Sequence, residues 1–411
     1  CHGYNINYSQ SVVGYGVNIS SYNYSTIRSC NVVQADLGND NANSFGVYVF
    51  RNSSNNVVFN NSVTTIGGSS YGIYLLTNIN YNNITNNTII TNGDTGDGIR
   101  LSLSFNNTIN NNNIKTRGNI ALGIYLITNS TNNSVYNNII ITNGSTNGVG
   151  IRLEIFSNNN KVYSNIIMTN GTSGIGIRLI TNSSNNNIYN NIIMTNGTRG
   201  NGIFLSTGSN NNNIYDNNIT TKNTTDSYGI YLQTNVNNNT FYRNTITSLA
   251  IGILINRTGV TSKSNTFTND TIVPCSVGCA SNYNDIVLTA NATDIIFTNV
   301  SMNKSRISII ARSPENPVEI NNLTVKWYLT INISNNTKTI TGAQYNINDS
   351  FAKNIANESM TDTIKTIEVT EYTQNGSVPF GTSDSCADVR NNINITCFSP
   401  YNVSANMTGY T

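Results

Sequence analysis

The chain has 411 residues, 21 Lys and Arg against 19 Asp and Glu, a formal net charge of +2, one histidine and only 10% charged residues. This balance excludes a nucleic-acid binder, which needs clustered cations against phosphates. With His2 as the single imidazole, histidine-built zinc sites and serine or cysteine triads are excluded too, and no cofactor is expected.

Residues 1–14 do not fit the pattern that follows and are expected to form a cap or assembly segment over the open end of the fold. The chain opens on Cys1 rather than Met, as a processed or partial sequence does. Six cysteines fall in local pairs, Cys1 with Cys30, Cys275 with Cys279 and Cys386 with Cys397, a connectivity that rests on proximity alone. An even count of cysteines beside many Asn-x-Ser/Thr sequons points to an oxidising, extracellular setting. Tyr15-Gly16-Val17-Asn18 reads as a first, imperfect coil, and the loop after Gln34 carries Asp36 and Asp40.

From there two columns organise the chain. Asn61, Asn87, Asn112, Asn138, Asn165, Asn191, Asn217 and Asn244 recur about every 26 residues, and Asp270 and Asn299 continue the row. Gly46, Gly72, Gly98, Gly123, Gly150, Gly176, Gly202, Gly229 and Gly252 each open a short apolar strand, as in Gly176-Ile177-Arg178-Leu179. Apolar residues alternate with polar ones over runs too short for helices, so each repeat reads as three strands and three turns. One such coil cannot bury its apolar face alone. Coils therefore stack at about 4.8 Å, each strand pairing in parallel with its copies. The ladder through Ile73, Ile99, Ile177 and Ile253 and the ladder through Ile89, Ile140, Ile193 and Ile272 are the expected core. The Asn column suits a corner, because Asn tolerates left-handed backbone and its amide both donates and accepts along a stack.

These columns resemble the right-handed parallel β-helix of the pectate-lyase-like class, especially the Asn-rich versions of archaeal surface proteins. The resemblance implies an all-β chain with a β-helix of about ten coils over residues 15–312. Its activity does not follow from fold. The Asp-Asp pair and Gly-His-Gly of β-helix pectin hydrolases do not occur here.

The outward position of the first strand of each coil reads Tyr48, Tyr74, Arg100, Tyr125, Arg152, Arg178, Phe204 and Tyr231. It is expected to form an exposed ladder of rings and guanidiniums, facing a neighbouring subunit or sugars. Asp94 and Asp97 are the one close acidic pair in the regular coils and the weak candidates for a metal; ordinary turn chemistry is the simpler account of them. Sequons stack at two corners, Asn143, Asn170 and Asn196 at one and Asn52, Asn129 and Asn182 at another, and are expected to carry glycans.

The pattern breaks at Pro274 to Cys279, and Pro314 and Pro317 mark a boundary. Beyond it, Trp327, Leu329 and Ile331 alternate with polar neighbours, which predicts a small β-sandwich over residues 313–411. Lys326-Trp327-Tyr328-Leu329, Gly342-Ala343, Pro400-Tyr401-Asn402-Val403 and Gly409-Tyr410 resemble immunoglobulin-like or carboxypeptidase-regulatory-like modules. No apolar run is long enough to span a membrane as a helix. The sequence predicts an N-glycosylated extracellular structural protein of the cell surface, a subunit assembling head to tail into a filament or layer, with surface glycans as further partners. A carbohydrate-binding adhesin or polysaccharide-active enzyme is the alternative.

Overall fold

A computed structural model describes residues 1–9, 12–34, 43–256, 262–289, 292–303, 306–310 and 322–332, and beyond them 334–335, 338–339, 344–349, 352–359, 364–375, 395–397 and 402–406. All regular structure in it is strand. Three parallel sheets run the length of a solenoid of about 11 turns. Sheet A takes the strand before each Gly-rich corner, such as Ile192–Thr195; sheet B takes the strand after it, such as Ile175–Ile180; sheet C takes the short strand between the two Asn-rich turns, such as Asn187–Tyr189.

Pairing is residue on residue. Ile167 lies on Ile193 and Ile193 on Ile219 in sheet A, Ile177 on Ile203 in sheet B, and Ile188 on Ile214 in sheet C. Alternation along each strand sends these side chains inward, where one continuous core gathers them. Four inward columns fill it rather than two, since sheet B adds Leu75, Leu101, Leu126, Leu153, Leu179, Leu205 and Leu232, and sheet C adds its own row. Toward its far end that row carries Phe241, Phe267 and Phe297, stacked at 4.5 and 4.6 Å, and then Val325.

The glycine column answers to crowding. A Cβ on Gly176 would stand 2.2 Å from Ile193 Cγ2 and 2.6 Å from the Gly202 carbonyl oxygen, so this inner corner has no room for a side chain.

The asparagine column divides its work between two neighbours. The left-handed residue is the one before the ladder, Asn190 with φ 55°, and Asn191 itself keeps φ negative. Asn191 instead spends its amide: Nδ2 donates to Asn217 Oδ1 at 3.0 Å, to the Val162 carbonyl at 2.9 Å and to the Tyr189 carbonyl at 3.1 Å. Its backbone N–H donates to the same Asn217 oxygen at 3.1 Å. A second ladder of the same kind runs through Asn82, Asn107, Asn133, Asn160, Asn186, Asn212, Asn239 and Asn265 at the other end of sheet C. Both ladders are buried, so every amide bond in them replaces a bond to water and leaves few orphans.

Two boundaries differ from the sequence expectation. Within the expected cap, Asn5–Tyr8 is the first strand of sheet A, with Ile6 paired on Val32, because its alternation matches the strand below. At the other end, Asn322–Asn332 extends sheet C in parallel on Ile295–Thr298, so ladder pairing crosses the expected boundary at 312. Asn322–Asn332 then pairs antiparallel with Ile364–Asn375. A separate three-stranded antiparallel sheet joins Asn354–Ser359, Gln344–Asn348 and Asn402–Asn406.

Candidate functional site

One column of charged and aromatic side chains of the regular coils lies on the outer face of sheet B. Register stacks Tyr48, Tyr74, Arg100, Tyr125, Arg152, Arg178, Phe204 and Tyr231 in one column, as the sequence predicts. The column is not an exposed ladder. Tyr48 and Tyr125 are each 7% exposed and Phe204 6%, because outward residues on either side close over them. Phe45 and Phe50 flank Tyr48 at 5.2 and 5.1 Å, and Leu122, Val149, Ile175 and Ile180 join Tyr125 and Phe204 in a second apolar cluster outside the solenoid wall. Alternating in-and-out patterning with apolar residues on both faces gives a sheet covered on both sides.

Charges in this layer are neutralised locally. Asp97 is buried; its Oδ2 lies 3.2 Å from Arg100 Nη1, and its Oδ1 accepts the Leu122 N–H at 3.0 Å. Burial pushes the Asp97 carboxyl up to about 6 against the opposing pull of Arg100. Arg100 also donates to Tyr71 Oη at 2.8 Å and lies over the Tyr71 and Tyr125 rings at 4.7 and 4.8 Å. One step further along, Arg152 Nη2 meets Glu154 Oε2 at 2.8 Å, and the Tyr125 hydroxyl donates to the same carboxylate. Burial first, then Glu154, raises the Tyr125 phenol. Arg178 has Phe204 at 5.2 Å and no ion pair among the described residues.

The other predicted residues are spread out. Asp94 is exposed and accepts from Asn119 Nδ2 at 3.1 Å, while Asp97 turns to Arg100, so the structure does not bring the two carboxylates to one point. Among the described residues no group of three or more His, Cys, Asp and Glu side chains is placed to hold a metal. Asp36 and Asp40 lie outside the described residues. At one sequon corner Asn170 Nδ2 donates to Asn143 Oδ1 and Asn196 Nδ2 to Asn170 Oδ1, each at 2.6 Å. At the other, Asn52, Asn129 and Asn182 are exposed with φ of 54°, 54° and 61°. Disulfides join Cys1 to Cys30 and Cys275 to Cys279; the pairing of Cys386 with Cys397 falls outside the described residues.

Sequence reasoning missed a second aromatic column. Tyr136, Tyr163, Tyr189, Tyr215 and Tyr242 stack on the outer face of sheet C with centroids 4.5 to 4.8 Å apart and planes within 10°. Its signal was a Tyr two residues ahead of five successive ladder asparagines, from Tyr136 before Asn138 to Tyr242 before Asn244. The Asn column ends one coil earlier than the sequence expectation, because Asn299 takes the left-handed position with φ 51° and donates to Asn269 Oδ1 at 2.7 Å instead of continuing the row. Asp270 closes that column, Oδ1 accepting from the N–H and Nδ2 of Asn244 at 2.7 and 2.9 Å, while its buried Oδ2 has no partner among the described residues. Burial raises this carboxyl to about 7. A cavity of about 410 Å³ lies there, against Asp270, Met302 and Trp327.

Among solved structures, a double mutant of the periplasmic alginate epimerase AlgG matches with a TM-score of 0.56 at 14% identity, covering 69% of this chain and 70% of that one. The Azotobacter vinelandii mannuronan C-5 epimerase AlgE4 A-module matches at 0.45 with 13% identity, covering 70% and 83%. The Vag8 complex with C1 inhibitor matches at 0.44 with 12% identity, covering 73% and 90%. At these identities the likeness is one of fold. No curated protein matches the sequence. The family model described as the right handed beta helix region matches residues 4–140 and 119–246, more than half of the sequence, and the chain therefore belongs to the right-handed β-helix family.

Proposed function

We propose that the chain is a structural, non-catalytic component of an extracellular surface, a stiff rod that carries N-linked glycans and packs with copies of itself. Eleven turns at about 4.8 Å give the solenoid a length of about 50 Å. The observation that supports this reading is the state of the acids on the outer face of sheet B. Asp97 is held by Arg100 and a backbone N–H, and Glu154 by Arg152 and Tyr125. Polysaccharide cleavage needs a carboxylate pair or a base open to substrate, and these two carboxylates are each committed inside the layer. Two disulfides and the exposed sequon corners fit an oxidising, glycosylating route.

Electron microscopy of the native protein on its surface, with mass spectrometry of the sequon peptides, tests the proposal. Ordered filaments or lattices with glycans at Asn52, Asn129, Asn143, Asn170, Asn182 or Asn196 are expected. Dispersed, unglycosylated monomers contradict it.

A further inference from the structure

The outer face of sheet A is polar along most of the solenoid and apolar at one place. Each strand there sends two side chains outward, such as Ser62 and Thr64, Asn113 and Lys115, or Asn218 and Thr220. The three successive coils between Lys115 and Asn218 carry Ile139 and Ile141, Ile166 and Met168, and Ile192 and Met194 instead. Among the described strands of sheet A no other has apolar residues at both outward places. Register joins the six into one island, and Ile139, Ile166 and Ile192 are 43%, 46% and 49% exposed. In the same three coils the next outward residue is a sequon asparagine: Asn143, Asn170 and Asn196. Their N–H groups still donate to the coil before, to the Thr116, Thr142 and Thr169 carbonyls, so the alternation runs on and their side chains leave the sheet on the island's side. In other coils that position holds Arg117 or Lys222, or Asn92 ahead of Gly93-Asp94, none of them a sequon.

Aliphatic side chains exposed side by side gain from being covered. At about 4.8 Å between coils and about 6.8 Å between alternate residues the island spans roughly 200 Å², well below the ~800 Å² that each partner buries in a stable dimer. It is too small to hold a second copy of the chain and matches a short oligosaccharide. A pyranose ring carries C–H groups on its faces and hydroxyls around its rim, so it lies flat on aliphatic side chains while its polar edge stays in water. The attachment point has room for it. Asn170 Nδ2 gives one of its two hydrogens to Asn143 Oδ1, and Asn196 Nδ2 gives one to Asn170 Oδ1, so a sugar replaces the other hydrogen and the ladder bond survives. We propose that an N-linked glycan at this corner folds back along sheet A and that its innermost sugars cover the island of Ile and Met. This rests on the glycosylated reading above and adds where the glycan lies; copies of the chain then meet through other faces.

The test treats the native glycoprotein with dilute hydrogen peroxide, which converts accessible methionine to its sulfoxide. Met168 lies two residues before Asn170 and Met194 two before Asn196, so one digested peptide reports both glycan and sulfoxide by mass spectrometry. Oxidation at Met168 and Met194 is expected to run about tenfold slower in the glycoprotein than in a variant without the glycan. Ser145→Ala, Thr172→Ala and Thr198→Ala together make that variant, since they remove the three sequons and keep the asparagines. Met302, in the last coils, is expected to keep its rate in both, which guards against unfolding. Fast oxidation beside an occupied asparagine overturns the fold-back and leaves the glycosylated reading standing. Absence of glycan from Asn143, Asn170 and Asn196 overturns both at this corner. Protection that persists in the triple variant and grows with protein concentration overturns the proposal in favour of a second copy of the chain.

Discussion

Replacing Asn191 by Ala tests the ladder where it is most regular. The two Nδ2 hydrogens are shared among three acceptors, and Oδ1 accepts two bonds from Asn165, one from the N–H and one from Nδ2, both at 3.0 Å. Truncation leaves the buried Asn165 N–H without an acceptor. Asn165 Nδ2 keeps the Val135 carbonyl at 2.9 Å, and Asn217 Oδ1 keeps the Asn191 N–H. One orphaned buried donor costs about 1–3 kcal/mol, and the remaining lost bonds about 0.5–1.5 kcal/mol each. Water entering the cavity recovers part of this, so a loss of about 3–6 kcal/mol is expected. Guanidinium denaturation followed by circular dichroism measures it as a fall in midpoint at constant slope. Asn190→Ala, which removes only the residue suited to φ 55°, is expected to cost about 1–2 kcal/mol. A loss below about 1 kcal/mol for Asn191→Ala refutes the view that the ladder amides hold the corner, and so does a larger loss at Asn190.

The foot of the same ladder has a pH signature. Asp270 has a folded pKa raised to about 7 against an unfolded value of about 3.9, so the folded state retains its proton longer. Its contribution is fully present below about pH 4 and is lost as pH rises through about 7; Asp97, raised to about 6, acts in the same direction. Asp270→Asn is expected to restore the donor, raise stability at pH 8 and flatten the melting temperature between pH 5 and 8 in a buffer series. Gly176→Ala drives a methyl to within 2.2 Å of Ile193 and 2.6 Å of a carbonyl, and a loss of about 3 kcal/mol or more in the same denaturation assay is expected. Tyr189→Leu breaks the sheet C ring stack and is expected to cost about 1 kcal/mol and to weaken the near-ultraviolet circular dichroism of the stacked phenols.

The solenoid was legible because its constraints repeat. One inward Ile per strand and one Gly per corner, written many times at a fixed interval, leave little choice of register. The corners were legible only in part. An Asn-Asn pair such as Asn190-Asn191 does not say which member takes left-handed backbone and which takes the ladder, since Asn suits both tasks. The outer face of sheet B was misjudged as exposed because alternation identifies the side of the sheet and not its cover. Tyr125 and Phe204 are hidden by Leu122, Val149, Ile175 and Ile180, neighbours across several coils. The further partners of Asp97 and Glu154, the Leu122 N–H and the Tyr125 hydroxyl, required coordinates for the same reason, since they come from neighbouring coils, whereas the pairs with Arg100 and Arg152 are local in sequence.

The central claim is that this β-helix holds and presents rather than transforms. Its most direct test is proton NMR of the full chain incubated in D₂O with polyuronates and neutral polysaccharides, reading solvent exchange at sugar carbons, new reducing ends and unsaturated products at once. The account predicts unchanged spectra over days at every pH from 5 to 8. Turnover that Asp97→Asn or Glu154→Gln abolishes, in variants that melt like the parent, would contradict it.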